Sequence, residues 1–589
     1  METKNLYIVG GDNTKLSPKM KKTSKVVFFD KEQKDFVNQF SLIKNFYEQQ
    51  DFLREKWLIL QEKVFKKIQP SIDKDEDFRY ILSSLFFEAS PYKTNVMYQF
   101  FKLYLIIEYI KKENIENVFL LNLPQDINFF FNTNIKKLSI SVKIIDTKKN
   151  KLSIKNLIKS FSISYLFYRL LVECRIKKQK VFPQKNQASK VVFSYYSSHS
   201  INNSFSSKYF ADVSNLLNNN NYAWLFFYVD DVSKLSKEGK MINKNTYGFL
   251  DAYFLLSDFK NIILDYYKIK KKLELIKLKE LFVLEGVDYL CLIKNDWLIS
   301  IKNILLDVLI FEKKFTNFFK SNPNIKEFIY LLEFQPWELM LNKVAHKHGI
   351  KTKGVTHAVV RSNLLQYFHP KSIHPFFYNP SYVGVNSDFC SSLFLQNGFS
   401  SNQVLKIEAQ RFNYLVKAKK KTNNQKTQLK KSILITTSIN PIETKELLEV
   451  FSLCNVKFEK VYIKEHPNLP VKLIIDSLVG KFPSYELVTG SMSDAFQFSD
   501  IIYTANGSSV LLESVIYEKH TVSLVSLSSL PMPAINKAPN LYFVYDPDTL
   551  SKILTQINLE LKTTVQINDN SNHLYIDENL TLWREFLKK

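Results

Sequence analysis

"IIYTANGSSVLLESVIYEKHTVSL", residues 501–524, runs from an apolar β-branched stretch through Asn506, Gly507, Ser508 and Ser509 into a helical pattern, then out to a second apolar stretch. Strand, turn, helix and strand in so short a span make the unit of a parallel sheet, because two parallel strands need a crossover between them. The alternation continues upstream. "SILITTS" (432–438), "KVYIKEHP" (460–467) and "YELVTG" (485–490) are short β-branched runs, and helical patterns such as "PIETKELLEVFSLC" (441–454) lie between them. This spacing predicts one Rossmann-like domain over residues 432–589.

The stretch before it, "AQRFNYLVKAKKKTNNQKTQLKK" (409–431), is rich in Lys, Asn and Gln and suits an exposed linker. The expected organisation is therefore an N-terminal α/β domain over 1–410, a linker over 411–431 and the C-terminal domain over 432–589. In the N-terminal part the candidate strands include "NVFLLNL" (117–123), "VKIIDT" (142–147), "KVVFSYYS" (190–197), "AWLFFYV" (223–229), "EFIYLLE" (327–333) and "TKGVTH" (352–357). Long helical patterns separate them, so a second α/β domain with helical insertions is the simplest expectation.

At 589 residues the chain exceeds one ordinary core, and 45% hydrophobic residues with charges in short mixed runs exclude wholesale disorder. Eighty-one Lys and Arg against 57 Asp and Glu leave a formal charge of +24, which attracts phosphate-rich partners without choosing among them. Part of that bias reflects a composition rich in Lys, Ile, Asn and Phe. Cys174, Cys291, Cys390 and Cys454 are far apart, with no metal-ligand spacing, which fits a reducing cytoplasm and argues against a zinc site. No stretch approaches the roughly 20 uncharged apolar residues of a membrane span, nor does the N-terminus read as a signal peptide. Residues 154–180 have an apolar middle between cations, the composition of a helix resting on an anionic membrane surface or of a buried insertion helix with solvated ends.

Two adjacent hydroxyls at a helix opening, with free backbone N–H groups, make a phosphate cradle; they also make an ordinary N-cap. His466 and Pro467 end another strand of the same sheet. In an open parallel sheet the ligand crevice lies beyond the carboxyl ends of the strands, so this pair of features is expected to face one anionic ligand. There is no GxGxxG or GxxxxGK[ST] fingerprint of a dinucleotide enzyme or P-loop ATPase.

A His-Pro at one strand end followed by Ser-Ser at a later helix start resembles the bacterial GT-B glycosyltransferases that use CMP-activated acidic sugars, the sialyl- and Kdo-transferases. The middle of the chain is similar to a family of bacterial surface carbohydrate biosynthesis proteins, through "YLLEFQPWELMLNKVAHKHGIKTKGVTHAVVRSNLLQYF" (330–368), "YVGVNSDFCSSLFLQNGF" (382–399) and "IEAQRF" (407–412). The resemblance implies a GT-B-like fold of two Rossmann-like domains. It implies that His466 stabilises a departing phosphate, with Ser508 and Ser509 binding it beside Pro467, Asn506 and Gly507.

Glu333 is the first choice for the carboxylate that glycosyl transfer requires, with Glu338 and His357 behind it; helix-start and structural roles compete for the latter two. Arg361 and Arg411 are candidates for a sugar carboxylate or phosphate, because guanidinium binds such oxyanions in a fork. Glu513 is placed to reach ribose hydroxyls or simply lies exposed on its helix. Asp230 and Asp231 follow a strand like a metal pair, yet a monophosphate leaving group is neutralised by His, Ser and helix, so no essential metal and no other cofactor is expected. The expected partners are a CMP-activated sugar and a glycan or lipid-linked glycan acceptor of capsule or lipopolysaccharide assembly, with peripheral contact to an anionic membrane and no nucleic acid. CDP-glycerol-type polyol-phosphate transfer is the alternative, and a basic nucleic-acid-binding protein a weaker one.

Overall fold

The computed structural model describes residues 4–10, 25–29, 39–145, 162–178, 183–196 apart from 185, 207–228 apart from 208, 246–415, 432–478, 482–526, 530–560 and 574–589. Among the described residues the strands form three parallel sheets and one short hairpin. Strands β1 (Asn5–Val9), β2 (Lys25–Phe28), β3 (Asn117–Leu121) and β4 (Ser141–Ile144) form a four-stranded sheet in the order β2-β1-β3-β4.

The seven-stranded sheet contains β5 (Lys190–Tyr196), β6 (Tyr222–Tyr228) and β7 (Thr246–Phe249). After the hairpin of β8 (Val283–Leu284) and β9 (Val287–Asp288), it continues with β10 (Glu327–Leu331), β11 (Lys351–Val355), β12 (Tyr382–Val385) and β13 (Val404–Lys406). Its order is β13-β12-β11-β10-β5-β6-β7. The C-terminal sheet contains β14 (Ser432–Thr436), β15 (Lys460–Lys464), β16 (Glu486–Leu487), β17 (Ile501–Ala505), β18 (His520–Leu524) and β19 (Leu541–Val544), in the order β16-β15-β14-β17-β18-β19.

The larger two sheets, parallel throughout and flanked by helices, are two Rossmann-like bodies, as the strand–helix alternation predicts. Central strands such as β14 and β17 are buried along their whole length, which is why they read as continuous apolar runs. The N-terminal region differs from expectation in carrying two sheets instead of one. Residues 117–121 pair with β1 and residues 141–144 with β3, in the four-stranded sheet and not in the seven-stranded one. Apolar pattern marks a strand; its partner is decided by tertiary packing that the pattern does not encode.

Helix Ser162–Lys178 covers part of the segment expected to be a surface or insertion helix; residues 154–161 and 179–180 lie outside the described residues. Its inner side is pinned by buried charge, with Glu173 paired to Lys314 (3.1 Å) and Arg169 to Asp307 (2.9 Å), while Phe167, Tyr168 and Leu171 are exposed. Among the described residues no helix is long and apolar enough to cross a membrane.

Past the C-terminal sheet the chain returns to the first body. Helix Thr581–Phe586 packs beside β13, where Glu408 accepts from the N–H groups of Leu582 (2.7 Å) and Trp583 (2.9 Å), and the Trp583 indole donates to the Glu408 carbonyl (3.0 Å). The Glu408 of "IEAQRF" is thus the clasp for the returning helix. Trp583 is fully buried, so Trp583→Ala is expected to cost about 3–5 kcal/mol in denaturant unfolding. A cost below about 1 kcal/mol would show that the returning helix is not part of the core.

Candidate functional site

The chain leaves β14 toward β15 and β16 on one side, then comes back to β17 on the other. This reversal puts a topological switch point between β14 and β17, where loops diverge and leave a crevice at the strand carboxyl ends. Three loops flank it, beginning at Thr437 after β14, at Glu465 after β15 and at Asn506 after β17. The His466 backbone N–H donates to Thr437 Oγ1 (3.0 Å), tying the second loop to the first.

These loops open on a cleft of about 840 Å³, lined on one side by Thr437, Ser438, His466, Gly507, Ser508 and Ser509. The opposite wall comes from the N-terminal region, including Tyr92, Lys102 and Arg361. His466 and the two serines, far apart in sequence, therefore face one space. Thr437 and Ser438 were missed as site residues. Their only sequence signal is a run of hydroxyls at a strand's carboxyl end.

His466 Nδ1 accepts the N–H of Asn468 (3.2 Å), which fixes the neutral ring as the tautomer with its proton on Nε2. Partial burial lowers its pKa from the ordinary histidine value, so near neutral pH it is an uncharged N–H donor. Ser508 Oγ accepts the Val510 N–H (3.2 Å), and its own proton has no acceptor among the described residues. Ser509 Oγ donates to Glu513 Oε1 (3.0 Å), so this hydroxyl is partly committed.

The helix they open, Val510–Ile516, has only seven residues, which makes the hydroxyls and loop amides, more than a helix dipole, the available donors. Glu513 is not among the cleft-lining residues: its carboxylate is buried, with Tyr414 and Ser509 hydroxyls donating to its oxygens. Burial raises its pKa, and the hydrogen bonds from Tyr414 and Ser509 oppose the rise. Pro467 is exposed beyond His466, and the Asn506 amide is buried at the end of β17 with neither side-chain atom hydrogen-bonded among the described residues.

Lys102 is a buried cation in the facing wall. Its ammonium donates to the Phe29 carbonyl (2.8 Å) and sits over the rings of Tyr98 (4.2 Å) and Phe29 (4.9 Å). The wall below the β14 loop is acidic, with Glu443, Glu446 and Glu449 on helix Pro441–Ser452 and Lys445 among them.

The seven-stranded sheet has its own switch point, between β5 and β10. Glu333 lies two residues past β10 at this point. Its backbone N–H donates to both oxygens of Glu338 (3.1 Å each), and its carbonyl accepts from Gln366 Nε2 (3.1 Å). Phe334, next in the chain, is in the left-handed region (φ 55°), and its N–H also donates to Glu338 (2.9 Å). A non-glycine residue there costs of order 1 kcal/mol and persists because the loop is over-determined. Glu338 is accordingly a fully buried carboxylate that holds the loop in shape; burial, then the Glu333 charge, push its pKa well up.

The Glu333 carboxylate receives a hydrogen bond from Gln335 Nε2, and Gln335 also donates to Tyr195 OH at the end of β5 (3.2 Å). His357 Nε2 is 3.5 Å from Glu333 Oε1. Burial, helped by the Arg411 charge, pushes the His357 pKa down to about 3, so this contact is no ion pair at neutral pH but the close approach of a neutral imidazole to a carboxylate. Burial raises the Glu333 pKa; the Gln335 hydrogen bond and the charges of Lys93 and Arg411 oppose it.

Glu333 faces a smaller pocket of about 170 Å³ that shares Tyr92 and Arg361 with the large cleft, so the two cavities adjoin. Arg361 donates from Nη1 to Tyr92 OH (3.3 Å), while its Nε is buried without a partner among the described residues. Arg411 lies outside both cavities, exposed, with its guanidinium over the Tyr209 ring (5.9 Å). Asp230 and Asp231 fall outside the described residues, among which no group of three or more His, Cys, Asp or Glu is placed to hold a metal ion.

No family model matches the chain, and no curated protein matches it in sequence. Similar solved structures include the UDP-GlcNAc 2-epimerase from Neisseria meningitidis bound to UDP-GlcNAc, with 12% identity over 68% of this chain and 100% of that one and a TM-score of 0.38. HepE of Anabaena, in complex with UDP and glucose, shows 9% identity over 68% and 98% of the two chains, with a TM-score of 0.36. The wall teichoic acid polymerase TagF shows 10% over 70% and 90%, with a TM-score of 0.32. These likenesses are distant, and the description of two Rossmann-like bodies stands on this chain's own strand order.

Proposed function

We propose that this chain is a glycosyltransferase of bacterial surface polysaccharide assembly, moving a Kdo- or nonulosonic-acid-type sugar from a CMP donor to a glycan acceptor. The carrying observation is that two sheet switch points meet at adjoining cavities, one bearing His466, Ser508 and Ser509, the other Glu333. In this reading the acceptor hydroxyl oxygen attacks the anomeric carbon and its proton passes to Glu333. The bond from that carbon to the phosphate oxygen breaks, and its electron pair leaves with CMP. Ser508 O–H and His466 Nε2–H donate to the phosphate as its charge grows, where preorganised donors act most strongly.

Two further features support a cytidine nucleotide with an acidic sugar. The carboxylates of Glu443, Glu446 and Glu449 accept hydrogen bonds, which suits the exocyclic amine of cytosine and ribose hydroxyls, whereas uracil presents an acceptor at the same ring position. The unpartnered Arg361 Nε, between the cavities, suits the sugar's own carboxylate. The leaving monophosphate is met by neutral donors and needs no metal in this scheme. A thermal-shift titration with CMP, CDP and UDP tests it: CMP is expected to raise the melting temperature most and UDP least. A shift with CDP but none with CMP would move the reading to polyol-phosphate transfer.

A further inference from the structure

The pocket beside Glu333 contains groups that the reaction above leaves unused. Glu88 ends the short helix Leu85–Glu88, and the chain leaves it through Ala89 in the left-handed region (φ 50°). Its side chain is 2% exposed and lines the pocket. One oxygen accepts from the Lys93 ammonium; the other, Oε2, is buried with no hydrogen-bond partner among the described residues. Gln366 lines the same pocket. Its Nε2 is spent on the Glu333 carbonyl, and its Oε1 too is buried with no hydrogen-bond partner among the described residues.

Buried acceptors without donors are costly, and two on one small cavity call for a ligand that brings donors. Charge narrows the choice. Lys93 is already paired with Glu88, and Arg361, the other cation on the lining, stands where the pocket meets the large cleft and is given to the donor sugar's carboxylate above, while the Glu333 carboxylate disfavours an anion. A neutral molecule with several hydroxyls satisfies all three acceptors. Tyr92, 67% exposed at the rim shared by both cavities, adds an aromatic face of the kind that packs against a sugar ring.

We infer that this pocket is the acceptor subsite and takes a neutral sugar or polyol unit. Two hydroxyls of that unit donate to Glu88 Oε2 and Gln366 Oε1, and a third, the nucleophile, is presented to Glu333. The inference rests on the transfer reaction proposed above for the choice of nucleophile. Glu88 and Gln366 are the residues that select which hydroxyl faces the base.

Saturation-transfer NMR on the full chain tests this with the methyl glycosides of glucose, galactose and N-acetylglucosamine, and with glycerol, each added singly. At least one probe is expected to give a signal with the wild type that falls about fivefold or more in Glu88→Gln and Gln366→Leu, while CMP still shifts the melting temperature of both variants. No signal from any probe, or an undiminished signal in both variants, would overturn the assignment. Should either buried variant fail to fold, Tyr92→Ala, at an exposed position, decides: a weakened signal supports the subsite and an unchanged one overturns it. Probe binding without CMP binding would sink the donor assignment alone, and CMP binding without probe binding would sink this inference alone.

Discussion

Glu333→Gln is expected to lower transfer by about 10³-fold or more while CMP binding persists, because the amide keeps the shape of the side chain but accepts no proton. The substitution is mild for the fold. Glu338 and Gln366 bond the Glu333 backbone, and their hydrogen bonds survive a change of side chain. The pH profile supplies a second readout. A base works deprotonated, so transfer rises as pH climbs through the Glu333 pKa, and burial places that limb above the ordinary glutamate value of about 4.3. His357 stays neutral throughout this range, so it adds no limb of its own. A Gln variant with near-normal turnover would remove Glu333 from the chemistry.

His466→Ala should cost about 10²- to 10³-fold in turnover, the usual price of deleting one preorganised donor at a developing charge. Its ring is only partly buried and its backbone, not its side chain, makes the bond to Thr437, so the loop should keep its form. His466→Gln, which offers an amide N–H near the position of Nε2, should recover part of the loss. Equal turnover in wild type and His466→Ala would contradict the role given to the imidazole.

The C-terminal sheet was legible because its strands are short β-branched runs separated by helical patterns at regular spacing, and parallel strands force that rhythm on a sequence. The N-terminal half was less so. Strands 117–121 and 190–196 look alike as apolar runs yet belong to different sheets. His466, Ser508 and Ser509 could be brought together from sequence alone because each follows a predicted strand of one sheet. Glu513 and Glu338 show the opposite: each is a helix glutamate close to a candidate residue, and each spends its carboxylate on scaffold hydrogen bonds. Glu88 had no local signature. It sits in "SSLFFEASPYK" (83–93), and only the tertiary packing carries its buried oxygen to the pocket of Glu333, some 245 residues away in sequence.

The proposed reaction requires a loop imidazole and a helix-opening hydroxyl to hold the same phosphate. A crystal structure of the chain grown with CMP tests this most directly. Phosphate oxygens are expected within about 2.6–3.2 Å of both His466 Nε2 and Ser508 Oγ, with the ribose and base along the wall of Glu443. A phosphate that touches neither group, or CMP lodged outside this cleft, would contradict it.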